Sequence, residues 1–430
     1  MLHPFPPPQA DACPPSQREP HELRAYGAPL GTHRYPPLPG DEIITNNKPK
    51  NQKLRASITI ASLNMNGFTA PAKNLSGIEK WSTVYQTINK NKIPILALQE
   101  THLDKELLHN VHSCFGKRLH IINSPLQTNP QASAGVAFVI NKALIAPSKL
   151  MTYELIEGHA LAIKVKWHEN KETVLINIYT PNNKSDHQPF WEQIDTKRRS
   201  KGVRKPDFML GDFNLTEDAI DRSPPHQDDT NAIEALRNLR QNLEIQDTWR
   251  HAFPSECAFT FRANNNGTHR KSCLDRIYTS IEAAKLTFQW KMCYTSVPTD
   301  HWLVSTKYTP IETPTIGKGR WTWLLSSLED QALLEKLEKR GIVFMGNLKR
   351  LQREWTTRET DNPQTLWNSF KSDIRKIAKA HCRELWSKLT SQIKAIKKDL
   401  KNITNNPDLD NRDDLRTNEA FLANELAHLE

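Results

Sequence analysis

The sequence predicts an α/β sandwich set between a proline-rich leader and a helical tail. Three observations predict it. Short apolar runs of strand length recur between residues 58 and 309, amphipathic segments of helical period are interleaved with them, and the composition changes at both edges of that stretch.

Residues 1–55 are dominated by proline, as in Pro4-Phe5-Pro6-Pro7-Pro8 and Pro36-Pro37-Leu38-Pro39-Gly40. Proline lacks a backbone donor and the segment is too poor in apolar residues to build a core. A disordered or locally extended leader is therefore expected, serving as a spacer or as a proline-rich ligand. Asn46-Asn47-Lys48-Pro49-Lys50 reads as the linker into a domain covering 56–309. That domain opens with the apolar run Ile58-Thr59-Ile60-Ala61-Ser62-Leu63. Ile78, Trp81, Tyr85 and Ile88 then share one helical face, and Ile93-Pro94-Ile95-Leu96-Ala97-Leu98 returns to a strand. Gly135–Ile140, Leu161–Trp167 and Val174–Ile178 read as further strands. The strict alternation of the Leu161 run suits an antiparallel strand that is half-solvated or covered by a helix. Pro206-Asp207-Phe208-Met209-Leu210 is one more strand, broken at Gly211, and Ile233, Leu236, Leu239 and Leu243 line a helix after it.

Beyond Pro310 strands give way to helical period, through Leu333-Leu334-Leu337, Leu348-Leu351-Trp355 and the stretch from Trp367 to Leu400. In the last of these Lys371, Arg375, Lys376, Lys379, Arg383, Lys388, Lys394, Lys397 and Lys398 outnumber Asp373, Glu384 and Asp399. Residues 310–430 are thus expected to form a basic helical extension, whose charge is either a solvated face or an accessory grip on nucleic acid. The whole chain carries a formal net charge of +10 and a pI near 9.2, which favours a polyanionic partner. No apolar stretch approaches the ~20 residues that a membrane span needs, and no secretory signal opens the chain, so a soluble protein without a membrane partner is expected. The six cysteines include no C-x-x-C pair, which speaks against a zinc site or disulfide framework and for a reducing intracellular compartment.

Six polar clusters follow or interrupt the apolar runs: Asn64 with Asn66, Gln99-Glu100-Thr101, Tyr179-Thr180-Pro181-Asn182-Asn183, Gly211-Asp212-Phe213-Asn214, Ser272-Cys273-Leu274-Asp275-Arg276-Ile277, and Thr299-Asp300-His301. Residues i and i+2 of an extended chain point to the same side, so Asp212 and Asn214 can converge on one ligand. In this order the set resembles the endonuclease/exonuclease/phosphatase superfamily, which includes the pancreatic deoxyribonucleases and the apurinic/apyrimidinic endonucleases. Asp247-Thr248-Trp249-Arg250, Thr260-Phe261 and the Ser272–Ile277 segment are similar to the endonuclease domains of non-LTR retrotransposons. Those elements usually carry Arg and Ile where this chain has Cys273 and Leu274, and Ser where it has Thr299.

The resemblance implies a DNase-I-like fold, two packed sheets flanked by helices, with a site where strand-end loops meet. It implies a Mg²⁺-dependent endonuclease, with Mn²⁺ as a substitute ion, that nicks one DNA strand and leaves a 3′-hydroxyl to prime reverse transcription. The chain would then be the front portion of a larger element product, or a degenerate copy, with 310–430 preceding a reverse transcriptase. It would act in the nucleus, with element RNA as a further partner of the basic helices. Two rivals stand: a repair nuclease at abasic sites or a small-phosphoester phosphatase on the same core, and an inactive nucleic-acid-binding remnant.

Phosphodiester hydrolysis needs neutralised phosphate charge, an activated water and support for the leaving oxygen. Under the resemblance Glu100 is the Mg²⁺ ligand, a hard cation that needs only one or two protein carboxylates, and Asn64 and Asp300 complete or orient its shell. His301 acts near neutrality at the scissile phosphate, with Asp275 fixing its tautomer. Asp212 orients or deprotonates the attacking water, or protonates the leaving oxygen. Asn214 and Tyr179 donate to phosphate oxygens. Lys271 and Arg276 contact the DNA backbone or are plain surface charge. His102, His269 and the Asp228-Asp229 pair are assigned to the surface or to helix starts.

Overall fold

The computed structural model describes residues 56–67, 77–131, 134–166, 172–265, 268–310, 325–354, 362–404 and 412–429, with 313, 321–323 and 406. The expected leader and its linker lie outside the described residues. The chain runs β1 (Ile58–Asn64), α1 (Gly77–Lys90), β2 (Ile95–Gln99), α2 (Lys105–Phe115), β3 (Leu119–Ser124), β4 (Val136–Asn141), β5 (Leu150–Ile156), β6 (Ala160–Lys166), β7 (Glu172–Tyr179), α3 (His187–Ser200) and β8 (Phe208–Asp212). It continues with β9 (Arg222–Ser223), α4 (Thr230–Leu243), β10 (Ile245–Gln246), α5 (Thr248–Ala252), β11 (Phe261–Asn265), β12 (Thr268–Ser272), β13 (Asp275–Ser280), α6 (Ile281–Ala284), β14 (Thr287–Cys293) and β15 (Leu303–Tyr308). Helices α7 (Gln331–Glu354), α8 (Pro363–Thr404) and α9 (Asp413–Leu429) complete it.

Two six-stranded sheets, ordered β14-β15-β1-β2-β4-β3 and β10-β13-β8-β7-β6-β5, pack face to face, and β11-β12-β9 form a third, three-stranded sheet. Period-2 patterning sends alternate residues to the inner and outer faces. Ile60, Ala97 and Phe138 of the first sheet meet Leu175, Phe208 and Leu210 of the second in the inner layer. On the outer faces α1 and α2 cover the first sheet through Trp81, Val84, Ile88 and Val111, while α3 and α4 cover the second through Trp191, Ile194, Leu236 and Leu239. The Leu161 run resolves to the helix-covered alternative: Leu161, Ile163 and Val165 enter the inner layer, and Ala160 and Ala162 the outer one.

Strand direction positions the site. β1 runs parallel to β2 with Asn64 opposite Gln99, and β7 parallel to β8 with Tyr179 opposite Asp212. Antiparallel β13 begins where β8 ends, setting Asp275 opposite Asp212. Polar residues at the C-terminal ends of both parallel pairs therefore come out at one edge of the sandwich. Among the described residues no helix is long and apolar enough to cross a membrane.

Candidate active site

The loops that carry the site are bent sharply as they leave the strands. Gly211 has φ +145°, and a Cβ there would stand 1.9 Å from the Ile178 carbonyl oxygen, so β8 can lie against β7 at this point only with glycine. Just beyond the strand ends Asn66, Glu100 and Asn214 take left-handed conformations, with φ of 50°, 47° and 44°. Asparagine tolerates this region; for Glu100 it costs about 1–2 kcal/mol, which the surrounding bonds must offset.

Those bonds converge on Asn64 and Glu100. Buried Asn64 donates through Nδ2 to Asp212 Oδ2 at 2.7 Å and to Glu100 Oε1 at 3.0 Å, while its Oδ1 accepts from the Asn66 amide at 2.8 Å. The Tyr179 hydroxyl donates to Glu100 Oε1 at 2.8 Å and lies 2.8 Å from Asn182 Oδ1. Burial, then the Glu100 and Asp212 charges, push the Tyr179 phenol far above its ordinary value, so it stays a neutral donor. Asp212 Oδ1 accepts the Asn214 amide at 2.9 Å. Both side-chain donors of Asn214 are engaged, with Thr180 O at 2.9 Å and Asn182 Oδ1 at 3.1 Å, so a phosphate would have to replace Asn182 to receive one.

His301 completes the cluster. Its Nδ1 stands 2.8 Å from Asp275 Oδ2, and its Nε2 lies 3.9 Å from both Asp212 Oδ2 and Asp300 Oδ1. Thr299 Oγ1 donates to Asn64 O at 2.8 Å and accepts the His301 amide, tying this loop to the end of β1. Thr260 Oγ1 accepts the Leu274 and Asp275 amides at 3.1 and 3.0 Å, and the Phe261 ring packs 4.9 Å from the imidazole. Burial opposes charge on His301, but the carboxylate of Asp275, then Asp212 and Asp300, outweigh it and raise the imidazole to about 10. Burial and the Asp275 charge together push Asp212 up to about 6.

The residues fit a hard divalent cation. Glu100 and Asp300 each have one oxygen engaged, Glu100 Oε1 as above and Asp300 Oδ1 by Asn66 Nδ2 at 2.8 Å, and the second oxygen of each has no partner among the described residues. A chain of bonds, Asp300 to Asn66 to Asn64 to Glu100, links them, and all the donors are oxygens. Asp212, Asp275 and His301 also bring ligand atoms within 4.8 Å of one another. There, however, Asp275 already holds Nδ1, and the imidazole is favoured as a cation, which makes that trio a poor nest for a metal.

All eight residues expected in catalysis or metal binding thus meet. The two expected DNA contacts do not face the hollow in the same way. Arg276 is buried, with its guanidinium committed to Asp221 and Asp247, so it is a scaffold residue and not a backbone contact. Lys271 is also buried, and pairs with Glu419 of α9 at 2.9 Å. Asp229 caps α4 as expected, but Asp228 is buried against Arg222 and Thr216, and His102 is buried beside Gly67. Sequence reasoning gave no role to Lys80, which reaches from α1 to the Met65 and Gly67 carbonyls below Glu100 and Asp300; burial lowers it to about 8 despite those two charges. Asn182, Thr260 and Thr299 stand in the quoted motifs, but nothing in their residue type marked them as supports.

A sequence model of the Endonuclease/Exonuclease/phosphatase family matches residues 61–309, more than half of the chain. The chain belongs to that family. A curated relative of this endonuclease/exonuclease/phosphatase chain is the "Transposon TX1 uncharacterized 149 kDa protein" of Xenopus laevis, 27% identical over 224 residues, which are 52% of this chain and only 16% of the relative. The fold is similar to the endonuclease domain of TRAS1, a telomere-specific non-LTR retrotransposon, with a TM-score of 0.43, 14% identity, and coverage of 59% of this chain and 100% of that one. It is also similar to the AP endonuclease LMAP from Leishmania major (TM-score 0.48, 14% identity, 60% of this chain and 88% of that one). The 3′ phosphatase NExo from Neisseria, bound to product DNA hairpin, aligns with a TM-score of 0.46 at 17% identity over 58% and 99% of the two chains.

Proposed function

We propose that the chain is a Mg²⁺-dependent endonuclease of the non-LTR retrotransposon type, which nicks one strand of duplex DNA. The observation that carries this reading is the meeting of Asn64, Glu100, Tyr179, Asp212, Asn214, Asp275, Asp300 and His301, drawn from six separate segments, with one carboxylate oxygen of Glu100 and one of Asp300 lacking a partner among the described residues. The transposon relative supports the retrotransposon setting.

Each residue has a task its environment suits. Asp212, pushed up to about 6, is poised to take a proton from an attacking water near neutral pH. His301, held as the imidazolium by Asp275, presents Nε2–H to a phosphate oxygen and stabilises the charge that develops there. Tyr179, a neutral phenol, fixes Glu100. Glu100 and Asp300, oriented by Asn64 and Asn66, would hold the Mg²⁺, which when bound neutralises phosphate charge and supports the departing alkoxide. The same reading carries the division into a leader (1–55), a nuclease domain (56–309) and a helical extension (310–430), action in the nucleus, and element RNA along the exposed Lys371, Arg375, Lys376 and Arg383 of α8.

Supercoiled-plasmid relaxation tests it. Open circles should form with Mg²⁺ and not with EDTA, and His301→Ala or Asp212→Ala should lose at least about a hundredfold in rate. Undiminished nicking in either variant overturns the assignment. Cleavage confined to abasic duplex or to small phosphoesters hands the same core to the rival enzyme.

A further inference from the structure

In the hairpin β11–β12 Arg262 and Lys271 stand directly opposite each other. Two like charges in a cross-strand pair repel, and Lys271 is 5% exposed, so burying it there needs an anion. Glu419 of α9 meets that need: it is 3% exposed, and its carboxylate spans the pair, Oε1 at 3.1 Å from Arg262 Nη2 and Oε2 at 2.9 Å from Lys271 Nζ. The anion site adjoins the cluster described above. Phe261 bridges to His301, Arg262 N donates to Asp300 O at 3.4 Å, and the Arg262 guanidinium lies 5.0 Å over the ring of Trp302. Arg262 Nε, moreover, is buried without a partner. A carboxylate and a backbone phosphodiester each present two anionic oxygens and one negative charge, so either can span this pair.

We propose that Arg262 and Lys271 form a binding site for a backbone phosphate of the substrate strand next to the scissile bond, and that Glu419 fills it until DNA displaces the carboxylate. The inference rests on the DNA-nicking reading for the identity of its ligand. The helical extension then competes with substrate for one site, and exchange of one anion for another lets α9 release the hairpin without leaving two cations unneutralised.

The test uses the full chain and a duplex oligonucleotide, with affinity read by fluorescence anisotropy in EDTA, where nicking cannot interfere. Glu419→Gln should bind tighter, on the order of tenfold, the scale of one charge-assisted contact. Lys271→Gln should bind more weakly and lower the salt slope by about one, and adding Glu419→Gln to it should recover little. In the unmutated chain, DNA should speed amide exchange across α9 while protecting β11 and β12, a readout that survives if Glu419→Gln misfolds. Unchanged or weaker binding by a folded Glu419→Gln, or equal protection of α9 with and without DNA, overturns the proposal. If the chain never nicks plasmid yet Glu419→Gln binds tighter, the anion site stands and the nicking reading falls; if it nicks and Glu419→Gln binds no tighter, the reverse holds.

Discussion

Asp275 and Arg276 are neighbours in β13 and belong to two ionic clusters of opposite character. Behind the strand, Arg276 is matched by Asp221 and Asp247, and Arg250 adds a second cation to Asp221. Burial alone would raise Asp247, but Arg276 and its other partners hold it below the usual carboxylate range. In front, Asp275 and Asp212 face each other across the ladder with His301 as their shared cation; Asp212 is pushed up to about 6 and Asp275 Oδ1 is buried without a partner. A balanced cluster holds a fold together. A cluster with surplus negative charge is tolerated where a cation and a substrate complete it, which is how function can be told from scaffold in two adjacent residues.

Substitutions on the two faces should separate these roles. The largest effect is expected from Glu100→Gln, which keeps the size of the side chain and removes its charge: Mg²⁺-dependent nicking should fall by at least about a hundredfold while the circular-dichroism spectrum is unchanged. Next comes Arg276→Gln, which takes the buried guanidinium from Asp247 and leaves Asp221 with Arg250 alone, and should cost about 3–5 kcal/mol in urea unfolding. Asp212→Asn should cost far less. It removes a carboxylate whose charged form the fold disfavours, which offsets the acceptor lost to Asn64 Nδ2 or to the Asn214 amide, so the metal-free chain should stay within about 1 kcal/mol of the parent at pH 7 while losing activity. A gain in activity from Asp212→Asn, or a loss of stability comparable to Arg276→Gln, would erase the distinction.

The last comparison is of pH dependence. Asp212 is raised in the folded state, so the fold binds the extra proton between the ordinary carboxylate value and about 6, and stability falls as pH rises through that window. His301 is raised as well: its contribution is full below the ordinary imidazole value and is lost as pH rises toward about 10. Without metal, unfolding free energies of the parent should therefore drop from pH 6.5 to 10 more steeply than those of His301→Ala.

Much of this architecture was legible in the sequence because apolar runs of strand length ended in polar clusters, and parallel strands bring such ends together. Asn64, Glu100, Tyr179 and Asp212 are visible for that reason; Asp275 and His301, at or before the starts of antiparallel β13 and β15, are marked by the family resemblance instead. Arg276 shows a missed inference, since adjacent residues of a strand face opposite sides and Asp275 already occupied the site face. Other features leave no local trace. Lys80 sits on a helix whose pattern signals only burial, the left-handed turn at Glu100 falls on a residue type that does not announce it, and the pairing of Lys271 with Glu419 joins positions far apart in the chain.

If a divalent cation completes the negative surplus around Glu100, Asp300, Asp212 and Asp275, a thermal-unfolding titration with Mg²⁺ reads it most directly. The midpoint of the parent should climb with Mg²⁺ concentration, as binding to the folded state alone requires, and so should that of Arg276→Gln from its lower start. Glu100→Gln should not respond over the same range. A parent midpoint indifferent to Mg²⁺, or an equal climb in Glu100→Gln, would contradict the account.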